Sequence, residues 1–237
     1  MLTRILIVGS LFVTLPGLTA DFAGLSAESF AADESPSARW ESAIQKFEEQ
    51  DAATPQPKNA ILFVGSSSIR LWDLKKSFPD RVTINRGFGG SEIADSTHFA
   101  DRIIMKHKPR IVVLYAGDND IGKGKSPEQV TSDFKKFTDA VSKELPETRI
   151  VFVAIKPCIK RWNLVGKVRA ANSAIRKLCE ADDRFVFLDI DPPMIGDNGQ
   201  PRPELFAKDG LHLSEDGYKL WNSLLGPQLN VQAASRN

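Results

Sequence analysis

The sequence predicts an α/β protein, a three-layer α/β/α sandwich in a single domain built on a parallel sheet. Short apolar runs of strand length recur along the chain, and segments of helical period separate them. The runs are apolar at consecutive positions rather than alternate ones, so both faces of the sheet have to be covered.

The runs are Ala60 to Val64, Val82 to Asn85, Ile111 to Tyr115, Ile150 to Ile155 and Phe185 to Asp189. Ahead of them Trp40, Ala43, Ile44 and Phe47 recur at helical spacing and predict a helix with one apolar face, which the TPQPKN stretch from Thr54 ends. Val130, Phe134, Phe137, Val141 and Leu145 predict a second helix, opened by Ser126 as N-cap and Pro127 at the first helical position. Val165, Val168, Ala171, Ile175 and Leu178 predict a third. In such sheets the loops leaving the carboxyl ends of the strands build the site. That directs attention to Ser66 to Ser68, Arg86 to Ser91 and Gly117 to Asp120.

The chain of 237 residues is 42% hydrophobic, enough for one sizeable core. With 31 Lys and Arg against 30 Asp and Glu the net charge is +1, and nothing calls for a nucleic acid or polyanionic partner. Met1 to Ala20 carry one positive charge at Arg4 and then an uncharged run, which reads as a secretory signal peptide cut near residue 20 or as late as about 31. Gly9, Pro16 and Gly17 interrupt the run, which is shorter than the roughly 20 residues that span a bilayer, so no stable membrane insertion is expected after cleavage. The expected location is secreted or periplasmic. Residues 21–56 form a lead-in, poorly ordered up to about 36, then the helix; the main domain runs 57–230 and a tail 231–237. Cys158 and Cys179 either close a disulfide or remain separate buried thiols. No Cys/His cluster has zinc-ligand spacing, and no metal is expected.

Among three histidines, His98 reads as mid-helix and His107, between Lys106 and Lys108, as a solvated helix end. His212 follows Asp209 by three residues, in a loop loosened by Gly210 and just before a helix capped by Ser214. A carboxylate at that spacing can hold Nδ1–H and leave Nε2 free to take a proton from a serine. D-x-x-H alone also arises by chance. The glycines of NRGFGGSE offer backbone N–H groups that a substrate oxygen can approach, or simply a turn. Asn119 offers an amide donor, or an Asx-turn that closes its own loop. GDNDIGKG from Gly117 falls short of a phosphate-binding loop, since Gly124 replaces the metal-binding hydroxyl, Asp118 and Asp120 repel phosphate, and the next helix is expected only near Ser126. GSSSI is not a nucleophile elbow either, because Ile69 stands where the second glycine belongs.

Taken together, these blocks resemble the SGNH or GDSL-type hydrolases, a superfamily of esterases and acylhydrolases. FVGSSSI resembles the first block and puts Ser67 on the nucleophile, with Ser66 where aspartate is usual; NRGFGGS resembles the second, with Gly90 on the oxyanion-hole glycine. GDND resembles the third, with Asn119 as oxyanion-hole asparagine, and DGLH the last, with Asp209 and His212 completing the triad. The resemblance covers about residues 58 to 230 and implies a flavodoxin-like five-stranded parallel sheet, no cofactor, and an acyl-enzyme mechanism with the Ser67 amide also facing the oxyanion. Ser66 is left to brace the loop or cap the following helix. Arg70, Lys156, Arg161 and Trp162 near the expected rim suggest substrate contacts and a short acyl group on a polar alcohol such as a sugar. Arg161 and Trp162 read equally as a helix start with a packing aromatic. Lysophospholipid or thioester substrates, and a non-catalytic exported binding module, are the alternatives; the oligomeric state is open.

Overall fold

The computed structural model describes residues 35–230. The expected signal peptide, the first part of the lead-in and the tail lie outside the described residues. After a 3₁₀ turn at Pro36–Trp40 the elements are α1 (Glu41–Ala53), β1 (Ile61–Gly65), α2 (Ser67–Arg70), α3 (Leu74–Ser77), β2 (Thr83–Gly87), α4 (Ile93–His98), α5 (Ala100–Ile103), β3 (Ile111–Tyr115), α6 (Asp118–Gly122), α7 (Pro127–Glu144), β4 (Arg149–Val153), α8 (Val165–Glu180), β5 (Phe185–Leu188) and α9 (Glu215–Leu225).

All five strands are parallel, in the order β2-β1-β3-β4-β5. The chain steps from β1 to β2 on one side, then crosses back over β1 to β3. Such a reversal opens a crevice at the carboxyl ends of the two central strands, where the connections part in opposite directions. Gly65, at the end of β1, sits in register between Gly87 and Tyr115. Its φ is +129°, and a Cβ there would lie 1.9 Å from the Tyr115 carbonyl oxygen, so glycine is required where the chain leaves the sheet.

Strands buried on both faces give two apolar layers, as the unbroken apolar runs require. On one face Leu62, Val64, Val112, Leu114, Ile150 and Phe152 pack with Ile44 of α1, Phe134 and Phe137 of α7 and Ile175 of α8. On the other, Phe63, Val113, Tyr115 and Val151 pack with Ile69, Trp72 and Trp221. Cys179 belongs to the first layer and Cys158 to the second. Both are free thiols, so of the two readings the separate buried thiols hold; burial pushes Cys179 up to about 12.

The expected strands and helices occur within one or two residues of their expected limits. Ser126 and Gln129 form a reciprocal capping box at the start of α7. Three expectations need correction. A helix already begins at Asp118, in the stretch taken as loop, because Gly117 adopts φ +113° and turns the chain straight into α6. His98 is the last residue of α4, its ring edge-on to Phe99. His107 is 7% exposed rather than solvated, beside Arg86 and Asp51. There Arg86 pairs with Asp51, and Arg102 bridges Glu41 and Glu48, so two arginines fasten α1 to the domain.

Candidate active site

The crevice is furnished from three strand ends. After β1, Ser66 is extended and Ser67 opens α2, which lifts the Ser67 side chain to the rim while Ser68 and Ile69 turn inward. The first and second blocks interlock: Phe88 N–H donates to the Gly65 carbonyl at 2.9 Å, and a Cβ on Gly87 would lie 2.2 Å from the Arg70 nitrogen. After β3, α6 presents Asn119, whose Nδ2 donates to the Ser91 carbonyl at 3.0 Å. Asn119 is thus tied to the residue after Gly90. Gly90 itself has φ +81°, which turns the loop beneath Trp40.

The fourth contribution comes from just before α9. Asp209 Oδ1 accepts from the amides of Leu211 and His212, both at 2.9 Å, and Oδ2 lies 2.5 Å from His212 Nδ1. The Leu211 amide first, and then the His212 ring and amide, hold the Asp209 carboxyl well below the usual carboxylate range. An ionised Asp209 fixes the proton on Nδ1, so Nε2 faces outward as an acceptor. Ser67 Oγ lies 3.0 Å from that Nε2. Serine, imidazole and carboxylate therefore form one continuous hydrogen-bonded file, geometry that lets the serine pass its proton to the imidazole as it attacks.

Behind this file sits a charged cluster. Lys156, 1% exposed, donates to Tyr115 Oη at 2.7 Å, Asp118 Oδ2 at 3.1 Å and Ser68 Oγ at 3.3 Å. Burial alone would raise the Asp118 carboxyl, but the Lys156 and Arg161 charges outweigh it and hold Asp118 below its ordinary value. Burial keeps Tyr115 protonated by pushing its hydroxyl well above 10.

The structure therefore brings Ser67, His212 and Asp209 together, and ties the loop that carries Gly90 both to the end of β1, through Phe88 and Gly65, and to Asn119, through Ser91. Lys156 is enclosed, not on the rim, because it leaves the sheet immediately after β4 beneath α2. Arg161 is turned inward onto Asp118 and Asn119 rather than toward a substrate. Trp162 lies under Arg169 of α8, whose guanidinium is 5.6 Å from its ring centroid. Only Arg70 stays at the rim, beside Gly89, with no carboxylate partner among the described residues. Ser66 is the N-cap residue of α2, but its buried hydroxyl neither caps the helix nor braces the loop, having no hydrogen-bond partner among the described residues.

Two contributors escaped sequence reasoning. One is the Lys156 and Asp118 pair, whose only signal was a lysine directly after an apolar strand. The other is Trp40, read as a packing residue, whose Nε1 donates to Asp95 at 3.1 Å. A Cβ on Gly90 would lie 3.2 Å from the edge of its indole ring, so the 3₁₀ turn that leads into α1 reaches the Gly90 loop.

With this geometry in hand, comparison with known proteins is decisive: the profile of the GDSL-like Lipase/Acylhydrolase family matches residues 70–220. The chain belongs to this family. It is 29% identical over 189 residues to platelet-activating factor acetylhydrolase IB subunit alpha1 of Rattus norvegicus, covering 76% of this chain and 78% of that one. The Mus musculus protein matches equally well. In three dimensions a GDSL-like lipase from Bacteroides thetaiotaomicron superposes with a TM-score of 0.70 at 19% identity, covering 78% of this chain and 96% of that one. A catalytic mutant of an acetylxylan esterase from Geobacillus stearothermophilus gives 0.61 at 12% identity, over 76% of this chain and 99% of that one. These two likenesses establish the fold, a three-layer GDSL sandwich. As a GDSL-like acylhydrolase the protein is an ester hydrolase. The family profile spans Gly90, Asn119, Asp209 and His212 and begins after Ser67, so neither the serine nor α1 lies within it.

Proposed function

We propose that this GDSL-like hydrolase is an exported esterase that removes short, acetyl-like acyl groups from a polar alcohol such as a sugar, through an acyl-enzyme on Ser67. The continuous file from Ser67 through His212 to Asp209 carries the reading. In it, Ser67 Oγ attacks the ester carbonyl carbon while its proton passes to His212 Nε2, and Asp209 steadies the imidazolium. The carbonyl oxygen, now negative, rests among the Ser67 and Gly90 amides and the Asn119 side chain. Collapse expels the alcohol, which leaves with the His212 proton; water, deprotonated by the same imidazole, then frees the carboxylate and restores Ser67.

The substrate class rests on Arg70, a cation at the rim beside Gly89 with no carboxylate partner among the described residues, which suits a polar alcohol portion. Acetyl groups also appear in the names of two relatives, the acetylhydrolase subunit and the acetylxylan esterase. Export rests on the signal-like pattern of residues 1 to 20.

Fluorophosphonate labelling with peptide mass analysis tests the nucleophile, and a chain-length series of p-nitrophenyl esters tests the acyl preference. A tag on Ser67 and fastest turnover of the acetate are expected. Undiminished turnover in Ser67→Ala removes the nucleophile, an unlabelled folded protein favours a binding module, and a preference for long chains points to a lysophospholipid-type substrate.

A further inference from the structure

Arg161 holds the oxygen end of the Asn119 amide, whose nitrogen end donates to Ser91. Its Nη1 donates to the Asp118 carbonyl at 2.7 Å and to Asp118 Oδ2 at 3.2 Å, and its Nη2 donates to Asn119 Oδ1 at 3.1 Å. The guanidinium lies against α6, where a Cβ on Gly122 would come within 2.8 Å of it. A guanidinium has only donors, so the amide oxygen must face it and the amide nitrogen must point away. One Nδ2 hydrogen is taken by the Ser91 carbonyl. The second remains, and the amide cannot rotate without breaking both contacts.

We infer that Arg161 is a positioning residue for ester hydrolysis, clamping and polarising the Asn119 amide so that its remaining Nδ2 hydrogen is the donor to the oxyanion. This inference rests on the acyl-enzyme reading above. Withdrawing electron density through Oδ1 makes the Nδ2 hydrogens stronger donors, as hydrogen bonds in series reinforce one another. The charge count works in the same direction. Lys156 and Arg161 share the one Asp118 carboxylate, which leaves a net positive charge behind the asparagine, screened only in part because Lys156 is 1% and Arg161 23% exposed. The chain of contacts continues from Asp118 through Lys156 to Ser68, next to the proposed nucleophile. The oxyanion donor and the start of α2 are therefore held by one network, and Arg161 is the member that touches the amide. A substrate-binding arginine would instead keep its donors free for solvent or ligand.

A double-mutant cycle read on p-nitrophenyl acetate turnover tests this, using folded wild type, Arg161→Gln, Asn119→Ala and the double variant. Loss of a whole oxyanion donor costs about 100- to 1,000-fold, so Arg161→Gln should lower kcat by about 10-fold. KM should stay unchanged, because the bond matters only as charge develops. On top of Asn119→Ala the same change should cost less than about twofold more. Arg161→Lys, which keeps the charge but cannot reach three acceptors in one plane, should fall between wild type and Arg161→Gln. Wild-type kcat in Arg161→Gln, or equal losses with and without Asn119, overturns the inference. If Arg161→Gln does not fold, Gly122→Ala serves in its place, since it displaces the guanidinium while retaining it; a kcat loss that vanishes in the Asn119→Ala background is expected, and wild-type kcat overturns. Ser67→Ala run in parallel separates the two readings. Surviving turnover there removes the acyl-enzyme itself, whereas an inactive Ser67→Ala with an additive cycle removes only the role of Arg161.

Discussion

Lys156 and Asp118 face each other at 3.1 Å with side chains 1% and 5% exposed, an ion pair enclosed beneath the crevice. Enclosure makes such a pair costly to break, because the survivor is left charged without water. Lys156→Met should destabilise the protein by about 3–5 kcal/mol, tempered by the remaining Arg161 contact, as read from urea unfolding. A change below about 1 kcal/mol would mean that Asp118 does not depend on Lys156.

Removal of Ser67 or of His212 should each lower kcat by about 10⁶-fold, and removal of both should cost little more, because the two act as a unit. Asp209→Ala should cost less, about 10⁴-fold. It also frees the amides of Leu211 and His212, so the loop before α9 should exchange hydrogen faster in that variant.

Trp40 joins α1 to the Gly90 loop through Asp95 and through its ring edge. Trp40→Phe keeps the ring and loses the hydrogen bond, at about 1 kcal/mol, with kcat nearly unchanged. Trp40→Ala loses both, at about 2–4 kcal/mol for this half-buried ring, and should lower kcat as the Gly90 amide loosens. Equal kcat in wild type and Trp40→Ala would confine the indole to a packing role.

Two buried groups should titrate in opposite senses. Burial first, with Arg86 next, lowers His107 from 6.5 to about 4, and burial raises Asp120 from 3.8 to about 6 against the pull of Lys125. Between these values the unfolded chain protonates His107 more readily than the folded one, so its contribution is present above pH 6.5 and lost as pH falls toward about 4. Asp120 runs the other way: the folded state keeps its proton longer, and stability is lost as pH rises from 3.8 toward about 6. Each difference is worth roughly 3 kcal/mol. Relative to wild type, Asp120→Asn should therefore gain stability with rising pH and His107→Gln with falling pH. Parallel urea-unfolding midpoints across that range for all three proteins would contradict these protonation states.

The buried Ser66 hydroxyl has no hydrogen-bond partner among the described residues, so Ser66→Ala, which removes a desolvated polar group, should raise stability by about 1 kcal/mol and leave kinetics unaltered. A large loss would reveal a role for the hydroxyl, such as binding an ordered water.

The centre of the sheet was legible because β1 and β3 are buried at every position and leave no charged residue to confuse the pattern, and α7 because Ser126 and Pro127 announce it. α6 was not legible, since five residues are too few to carry a period and the two aspartates and an asparagine look like loop. The four blocks around Ser67, Gly90, Asn119 and His212 stood out only through their joint resemblance to the SGNH hydrolases, since each alone fits a polar turn, an Asx-turn or a chance D-x-x-H pair. The inward turn of Lys156 and Arg161 could not. A charged side chain is read as solvated until the fold reveals a carboxylate waiting for it, whereas His107 was misread because its lysine neighbours in sequence hide its burial beside Arg86 and Asp51.

Ser67 and His212 are separated by 145 positions, and His212 is seated by α9, whose Trp221 is fully buried and whose Tyr218 hydroxyl donates to the Ser68 carbonyl at 2.8 Å. A growing chain exposes the serine long before its base has been made, an interval of order ten seconds at about 5–20 residues per second. Throughout that time Ser67 lacks the imidazole to which the proposed mechanism passes its proton. On the proposed mechanism hydrolysis starts only once α9 has docked, which makes the release of a coloured alcohol a clock for that step of folding.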